Sequence, residues 1–300
     1  MKLLITGAWN CTAEQLNILK SMGNEILFMQ NEDDVLPQGF ETVEGIIGNG
    51  LFLHHNIQQF QKLRYIQLTS AGFDRVPMDY IREHKIKLYN ARGVYSIPMA
   101  EFAVCGVLQL LKKSKALMQS QQNREWKKQR ELGELYRKTV CVMGCGSVGT
   151  EVAKRFSAFG CKVIGVDLFP REDAHYQSIY PLDRMEQVLG KSDMVVLTLP
   201  LTEQTKHLIN AAVFEKMQKG TILVNIARGS IVDTEAMINA LNARVIAGAV
   251  LDVFEEEPLC VTSPLWDMEN VIITPHNSFA GEGNGERLWQ IIKNNLESYV

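Results

Sequence analysis

The fold is decided by Thr139-Val140-Cys141-Val142-Met143, then Gly144-Cys145-Gly146-Ser147-Val148-Gly149, then a helical pattern ending in Cys161-Lys162-Val163-Ile164-Gly165-Val166-Asp167. It reads as strand, glycine-rich turn, helix, strand and acidic end, the order of a dinucleotide site. In that order Gly144 lets the chain turn sharply out of the strand. Gly146 presents no side chain to an approaching pyrophosphate, and Gly149 lets the helix lie close to the sheet. The N-terminus of the helix that starts at Ser147-Val148 would turn its first-turn N–H groups and partial positive charge toward phosphates. Asp167, 18 residues after Gly149, stands where ribose hydroxyls would be accepted. Glycine-rich turns occur in many folds, so context carries the reading against a plain βα turn. An apolar strand pattern precedes the turn, and Val152, Phe156 and Phe159 follow at spacings of 4 and 3, as on one helix face.

Outward from this stretch, Met194–Leu197, Thr221–Val224, Val245–Val250 and Val271–Ile273 are near-continuous apolar runs, expected of strands covered on both faces. Upstream, a helix is predicted from about Met99 to Lys115. Phe102, Cys105, Val107, Leu108 and Leu111 make it apolar on more than one side, so it lies in a core or against a partner subunit. Gln119–Arg130 is polar with Trp126 as its one large apolar group, and reads as an exposed arm. Pro98 disfavours helix at Ile97 and marks a domain boundary. Residues 1–98 then form a smaller α/β unit. Its short strands are Leu3-Leu4-Ile5, Ile26-Leu27-Phe28, Gly45-Ile46-Ile47, Tyr65–Leu68 and Ile86-Lys87-Leu88, with helical stretches such as Ile57–Leu63 and a loop at Asn31–Gly39. A last helix from about Gly285 places Leu288, Ile291, Ile292 and Leu296 on one face.

Composition narrows the class. Three hundred residues suit about two domains. The content is 46% hydrophobic and 22% charged, ordinary for a globular protein, and a net charge of −3 gives no case for nucleic acid or an acidic membrane surface. No run approaches the ~20 apolar residues of a membrane helix. The six cysteines form no CxxC pair and no secretion signal is visible, which favours a reduced, cytoplasmic setting. No metal is implied, because His54-His55 lacks further ligands at metal-site spacing. Thr69-Ser70-Ala71-Gly72, directly after a strand, reads equally as an anion-holding run of N–H groups or as an ordinary turn.

Several separated motifs resemble the D-isomer-specific 2-hydroxyacid dehydrogenase family. They are Leu199-Pro200-Leu201-Thr202 with Thr205, Asn225-Ile226-Ala227-Arg228-Gly229, Asp252-Val253-Phe254-Glu255-Glu256-Glu257-Pro258-Leu259 and Thr274-Pro275-His276. In the first half, Ser70-Ala71-Gly72 and Ser96–Glu101 resemble the substrate loop and the domain crossover. The resemblance implies an α/β fold with a Rossmann-type NAD-binding domain at 99–282 and a flavodoxin-like substrate domain at 1–98, completed by a C-terminal helix at 283–300. It implies NAD as cofactor, a homodimer built on the Met99–Lys115 helix and the following arm, and Pro200, Thr205, Ala227 and Asp252 beside the cofactor. Asp252 takes the place near the nicotinamide amide. The chain departs from the family at Thr198, at Asn277-Ser278-Phe279, and in lacking a glycine ahead of Thr139.

Reducing a 2-keto acid requires a held carboxylate, a placed hydride donor and a proton for the carbonyl oxygen. Arg228, at a strand's carboxyl end, has the planar fork that grips a carboxylate and polarises its neighbour. His276 is the residue type for acid–base work near neutral pH, and Glu257 would bond and orient its ring. Glu255 and Glu256 are expected to be solvated. Ser70, Ala71, Gly72 and Asn49 are the expected substrate contacts. Asn49 stands about where phosphoglycerate-type relatives present an arginine, which favours a small unphosphorylated acid. The alternatives are a phosphoglycerate dehydrogenase-like activity and a non-catalytic NAD-binding interaction protein. A formate-oxidising relative fits less well, since that branch carries glutamine where Glu257 stands.

Overall fold

Short apolar runs build the first sheet. In the computed structural model, which describes residues 1–299, they become β1 (Lys2–Thr6), β2 (Glu25–Met29), β3 (Gly45–Gly48), β4 (Tyr65–Leu68) and β5 (Lys87–Tyr89). All pair in parallel in the order β2-β1-β3-β4-β5, the flavodoxin-like winding. The helix Ala13–Ser21 starts at a reciprocal cap. The Thr12 hydroxyl accepts from Gln15 N at 3.2 Å while the Gln15 side chain accepts from Thr12 N at 2.9 Å. Such a cap contributes about 1 kcal/mol. Of the helix expected over 57–63, only a 3-10 turn at Ile57–Gln59 forms, after a short helix at Leu51–His54. Phe60 leaves helical geometry at ψ 77 and buries its ring, so helix gives way to core.

That sheet belongs to a unit made of Met1–Tyr95 and Gly281–Val300. The helix Asn284–Tyr299 buries Leu288, Trp289, Ile292 and Leu296 against Leu3, Ile5, Trp9 and Leu19. Trp289, outside the expected stripe, stacks on Trp9 with centroids 5.8 Å apart and planes at 12°. An aromatic pair of this kind is worth about 0.5–1.5 kcal/mol beyond its burial.

The second unit is Ser96–Ala280. Its strands are β6 (Thr139–Met143), β7 (Lys162–Asp167), β8 (Ser178–Pro181), β9 (Met194–Leu197), β10 (Thr221–Asn225), β11 (Ile246–Leu251) and β12 (Val271–Ile273). They form one parallel sheet in the order β12-β11-β10-β9-β6-β7-β8. Winding reverses between β6 and β9, and in such sheets ligands bind beyond the carboxyl ends at that reversal. The central strands are buried on both faces, which is why they read as unbroken apolar runs.

Three further elements differ from the sequence reading. β8 went unread: it is short, only half-buried and ends in Pro181, which is tolerated at a sheet edge because it has no ladder hydrogen to give. The long helix spans Ser96–Leu111, so Pro98 lies in its first turn, where a missing N–H costs no intrahelical bond. Lys113 then turns left-handed (φ 52) and a separate helix runs Ser114–Gln122, so the expected arm begins as helix. Trp126 beyond it is 96% exposed. Phe159 sits at the C-cap of the helix Ser147–Ala158 and is 46% exposed, whereas Val152 and Phe156 are fully buried. Among the described residues no helix is long and apolar enough to cross a membrane.

Candidate active site

The turn after β6 is fixed by its own packing at two glycines. Gly144 has φ 95, and a Cβ there would lie 2.7 Å from Leu199 N. A Cβ on Gly149 would lie 2.1 Å from Gly144 O, so no other residue fits without moving backbone. Gly146 differs: a Cβ would meet nothing within 4 Å. The protein does not demand glycine there, whereas a pyrophosphate approaching the backbone would. Gly146 is also the N-cap of the helix Ser147–Ala158, and has no side chain to give the first-turn N–H groups. Thr198, noted in the sequence only as a departure, donates to Gly144 O at 2.5 Å and holds the turn against the end of β9.

Asp167 closes β7. One oxygen accepts from Cys145 N at 2.6 Å and the other from Phe169 N at 2.9 Å. A carboxylate has about four lone-pair positions, so acceptor capacity remains for ribose hydroxyls. Arg171 lies over the same turn, donating to Cys145 O at 2.5 Å and Thr150 Oγ1 at 3.3 Å and pairing with Asp173 at 3.6 Å. Cys145 is buried beneath, and burial pushes its thiol up to about 12, so it is inert rather than reactive. In the turn after β9 the Thr205 hydroxyl is buried, donating to Pro200 O at 2.7 Å and accepting from Thr202 N at 2.8 Å; Pro200 itself is exposed.

The loops after β10, β11 and β12 carry the remaining candidates. Asn225 accepts from Ala227 N at 3.1 Å and donates to Arg228 O at 3.0 Å, framing the arginine from both sides. Arg228 is half-buried and gives one Nη1 bond to Ala227 O at 2.7 Å, leaving most of its five donors for a ligand. A Cβ on Gly229 would lie 1.9 Å from the carbonyl carbon of Phe254, so the loops after β10 and β11 touch backbone to backbone.

His276 has φ 52, uncommon for a non-glycine residue, and donates its N–H to Asp252 O at 2.8 Å. Asp252 is 0% exposed. Its carboxylate accepts from the Thr274 hydroxyl at 2.7 Å, Asn277 N at 2.8 Å and Ser278 N at 2.9 Å. The loop bearing His276 therefore hangs on Asp252. Glu257 accepts from Phe254 N at 3.0 Å and meets His276 Nδ1 at 2.8 Å. With Nδ1 engaged, Nε2 is the nitrogen left for proton exchange.

Glu255 corrects the expectation of a solvated carboxylate. It meets His207 Nε2 at 2.7 Å and accepts from Thr234 N at 2.8 Å. Burial pushes its pKa up, but the bonds from Thr234 and His207 outweigh that and hold it below the usual carboxylate range. In the first unit, Ser70 Oγ lies 3.5 Å from Gly72 O, and Asn90 donates to Ala71 O at 2.6 Å. A further carboxylate appears where the sequence read only loop. Glu32 accepts from Asn49 N and Gly50 N, each at 2.6 Å, and from the Thr6 hydroxyl at 2.8 Å. Among the described residues no group of three or more histidine, cysteine or acidic side chains could hold a metal ion.

A doubly wound sheet with a glycine turn at its reversal, and an arginine and a carboxylate-paired histidine on loops at the carboxyl ends of β10 and β12, defines a dinucleotide-dependent oxidoreductase. The chain belongs to the D-isomer specific 2-hydroxyacid dehydrogenase family, whose NAD binding domain matches residues 104–278. It is an NAD-dependent enzyme interconverting a 2-keto acid and a D-2-hydroxy acid. It is 34% identical over 242 residues to the (S)-sulfolactate dehydrogenase of Chromohalobacter salexigens, spanning 80% of this chain and 78% of the relative. It is 35% identical over 242 residues to the glyoxylate reductase of Thermofilum pendens, spanning 78% and 71%. The crystal structure of an Aquifex aeolicus D-lactate dehydrogenase complexed with NAD and lactic acid superposes with a TM-score of 0.80 at 25% identity, over 99% of this chain and 95% of that one.

With Asp167 in the ribose-accepting role expected of the acidic end of β7, a 2′-phosphate would bring a like charge, so NADH is expected to be used far better than NADPH. Asp167→Ala should narrow that gap, with Arg171 left nearby as a cation. Equal kcat/KM for the two cofactors in the unaltered protein would defeat this expectation.

Proposed function

We propose that the enzyme reduces small, unphosphorylated 2-keto acids. Arg228 grips the carboxylate and polarises the carbonyl, His276 delivers the proton from Nε2, and Glu257 orients the ring through Nδ1. The 2.8 Å contact between His276 Nδ1 and Glu257 carries this reading. Gly144, Gly146, Ser147, Val148 and Gly149 receive the pyrophosphate, and Asp167 takes the ribose. Pro200, Thr205, Ala227 and Asp252 support the nicotinamide end, Thr205 and Asp252 by shaping backbone. Bound NADH supplies the hydride. Ser70, Ala71, Gly72 and Asn49 are the proposed substrate contacts of the first unit.

The preference for an unphosphorylated acid rests on Glu32. Its carboxylate takes the N–H groups of Asn49 and Gly50, putting negative charge at a position where a phosphate would need positive charge. Steady-state assays with NADH over glyoxylate, pyruvate, hydroxypyruvate, sulfopyruvate and phosphohydroxypyruvate test it. Turnover of phosphohydroxypyruvate well above the others would overturn the preference. No turnover of any would favour a non-catalytic NAD-binding role.

A homodimer through the helix Ser96–Leu111 is part of the proposal. An open groove of about 480 Å³ runs along it, with Val104, Cys105, Leu108 and Phe159 as its apolar lining and charged side chains such as Glu101 and Arg155 beside them. Sedimentation showing only a 33.8 kDa species at micromolar concentration would count against it. Six free thiols suit a reducing cytoplasm, and disulfides found on thiol titration of freshly isolated protein would argue otherwise.

A further inference from the structure

The loop after β11 carries two glutamates two residues apart, each paired with a histidine. Glu257 pairs with His276, and Glu255 pairs with His207. The proposed chemistry uses only the first pair. The second is not a loose surface contact, because its parts come from three different loops. His207 follows the turn held by Pro200 and Thr205, and its own N–H donates to Ser230 O at 2.8 Å, two residues past Arg228. The other Glu255 oxygen takes the N–H of Thr234, the first residue of the helix Thr234–Asn242, whose N-cap is Asp233. Next to these bonds, Gly229 packs on the Phe254–Glu255 peptide so closely that a Cβ would overlap it.

We infer that Glu255 is a positioning residue: its carboxylate clamps the Pro200–Thr205, Arg228 and Glu257 loops together and so sets the placement of the arginine fork against the histidine. An exposed ion pair contributes little to stability, and this one is partly exposed, with side chains 44% and 32% accessible. Its value therefore lies in geometry. Carboxylate bonds to a backbone N–H and to a ring nitrogen have fixed directions, and they add the loop after β11 to segments already tied to each other by the Ile209–Val232 bridge. The inference rests on the proposed roles of Arg228, Glu257 and His276.

The test compares Glu255→Ala, Glu255→Gln and His207→Ala with the unaltered protein, using NADH and the best keto acid of the panel. Misplaced catalytic groups cost up to about 10²-fold. Glu255→Ala is expected to lower kcat by about 10–100-fold, with a smaller change in keto-acid KM. NADH binding, followed by fluorescence, should keep its full stoichiometry. The deuterium isotope effect with 4-deuterated NADH should rise, as the hydride step becomes more rate-limiting. Glu255→Gln keeps a carbonyl for Thr234 N and should recover much of the loss, while His207→Ala should lose less than Glu255→Ala. Three results would overturn the inference alone: parental kcat in Glu255→Ala, no recovery in Glu255→Gln, or a loss matched by fewer NADH sites with an unchanged isotope effect. Absence of keto-acid turnover in the unaltered protein would overturn the proposed function and this inference with it.

Discussion

His276→Ala is expected to lower kcat for keto-acid reduction by about 10²–10⁴-fold, the usual worth of a positioned acid or base. NADH affinity should change little, because the glycine turn and Asp167 lie after β6 and β7, away from the loop after β12. The physical ground is the direct bond from Nδ1 to Glu257 and the anchoring of the loop by Asp252. The ring is held in place, so its loss is not made good by a neighbour. The two directions of reaction should also differ in sign with pH. Reduction takes up a proton and its kcat/KM should fall as pH rises; oxidation releases one and should gain. Parallel pH profiles for both directions, or an alanine variant within tenfold of the parent, would remove His276 from the role.

Arg228→Ala should damage both kinetic parameters. In the proposed role the guanidinium holds the ground-state carboxylate and also polarises the carbonyl as charge builds on its oxygen, so KM should rise and kcat should fall. Two charge-assisted bonds of about 1.5–3 kcal/mol each correspond to roughly 10²–10⁴ in kcat/KM. Arg228→Lys keeps the charge but loses the planar fork, and should recover only part. A lysine variant equal to the parent would mean that charge alone suffices. An alanine variant altered in KM alone would confine Arg228 to binding.

Much of this was legible in the chain because it is local. A strand, three glycines and an acidic residue within thirty positions need no distant partner to be read. Arg228, Glu257 and His276 were legible as types behind strand ends. Their fixation was not, because it depends on contacts remote in sequence. Nothing near Asp252 foretells that it accepts bonds from Thr274, Asn277 and Ser278. Glu255 and Glu256 read as solvated beside Glu257, yet Glu255 meets His207, 48 positions away. Glu32 lay in a polar loop and turns up on Asn49 and Gly50. β8 failed for another reason: an edge strand needs neither apolar periodicity nor a full set of donors, so a half-buried stretch of four residues ending in Pro181 mimics a loop. The left-handed turn at Lys113 splits a helical pattern with no glycine to announce it.

The stack of Trp289 on Trp9 has a bearing on how the protein is made. Residues 96–280 are translated after the first sheet and before the helix that finishes its core. At ~5–20 residues per second the ribosome spends roughly 10–40 s on that intervening stretch. During that interval Leu3, Ile5 and Trp9 lack the cover of Leu288, Trp289 and Ile292. The NAD-binding unit is continuous in sequence, so it has every residue it needs before the earlier-made unit does. The first domain to be synthesised is thus the last to close, and chains stalled just short of Asn284 should carry a formed nucleotide unit beside a protease-sensitive N-terminal one. Limited proteolysis of such stalled chains would reveal the order, and equal protection of the two units would refute it.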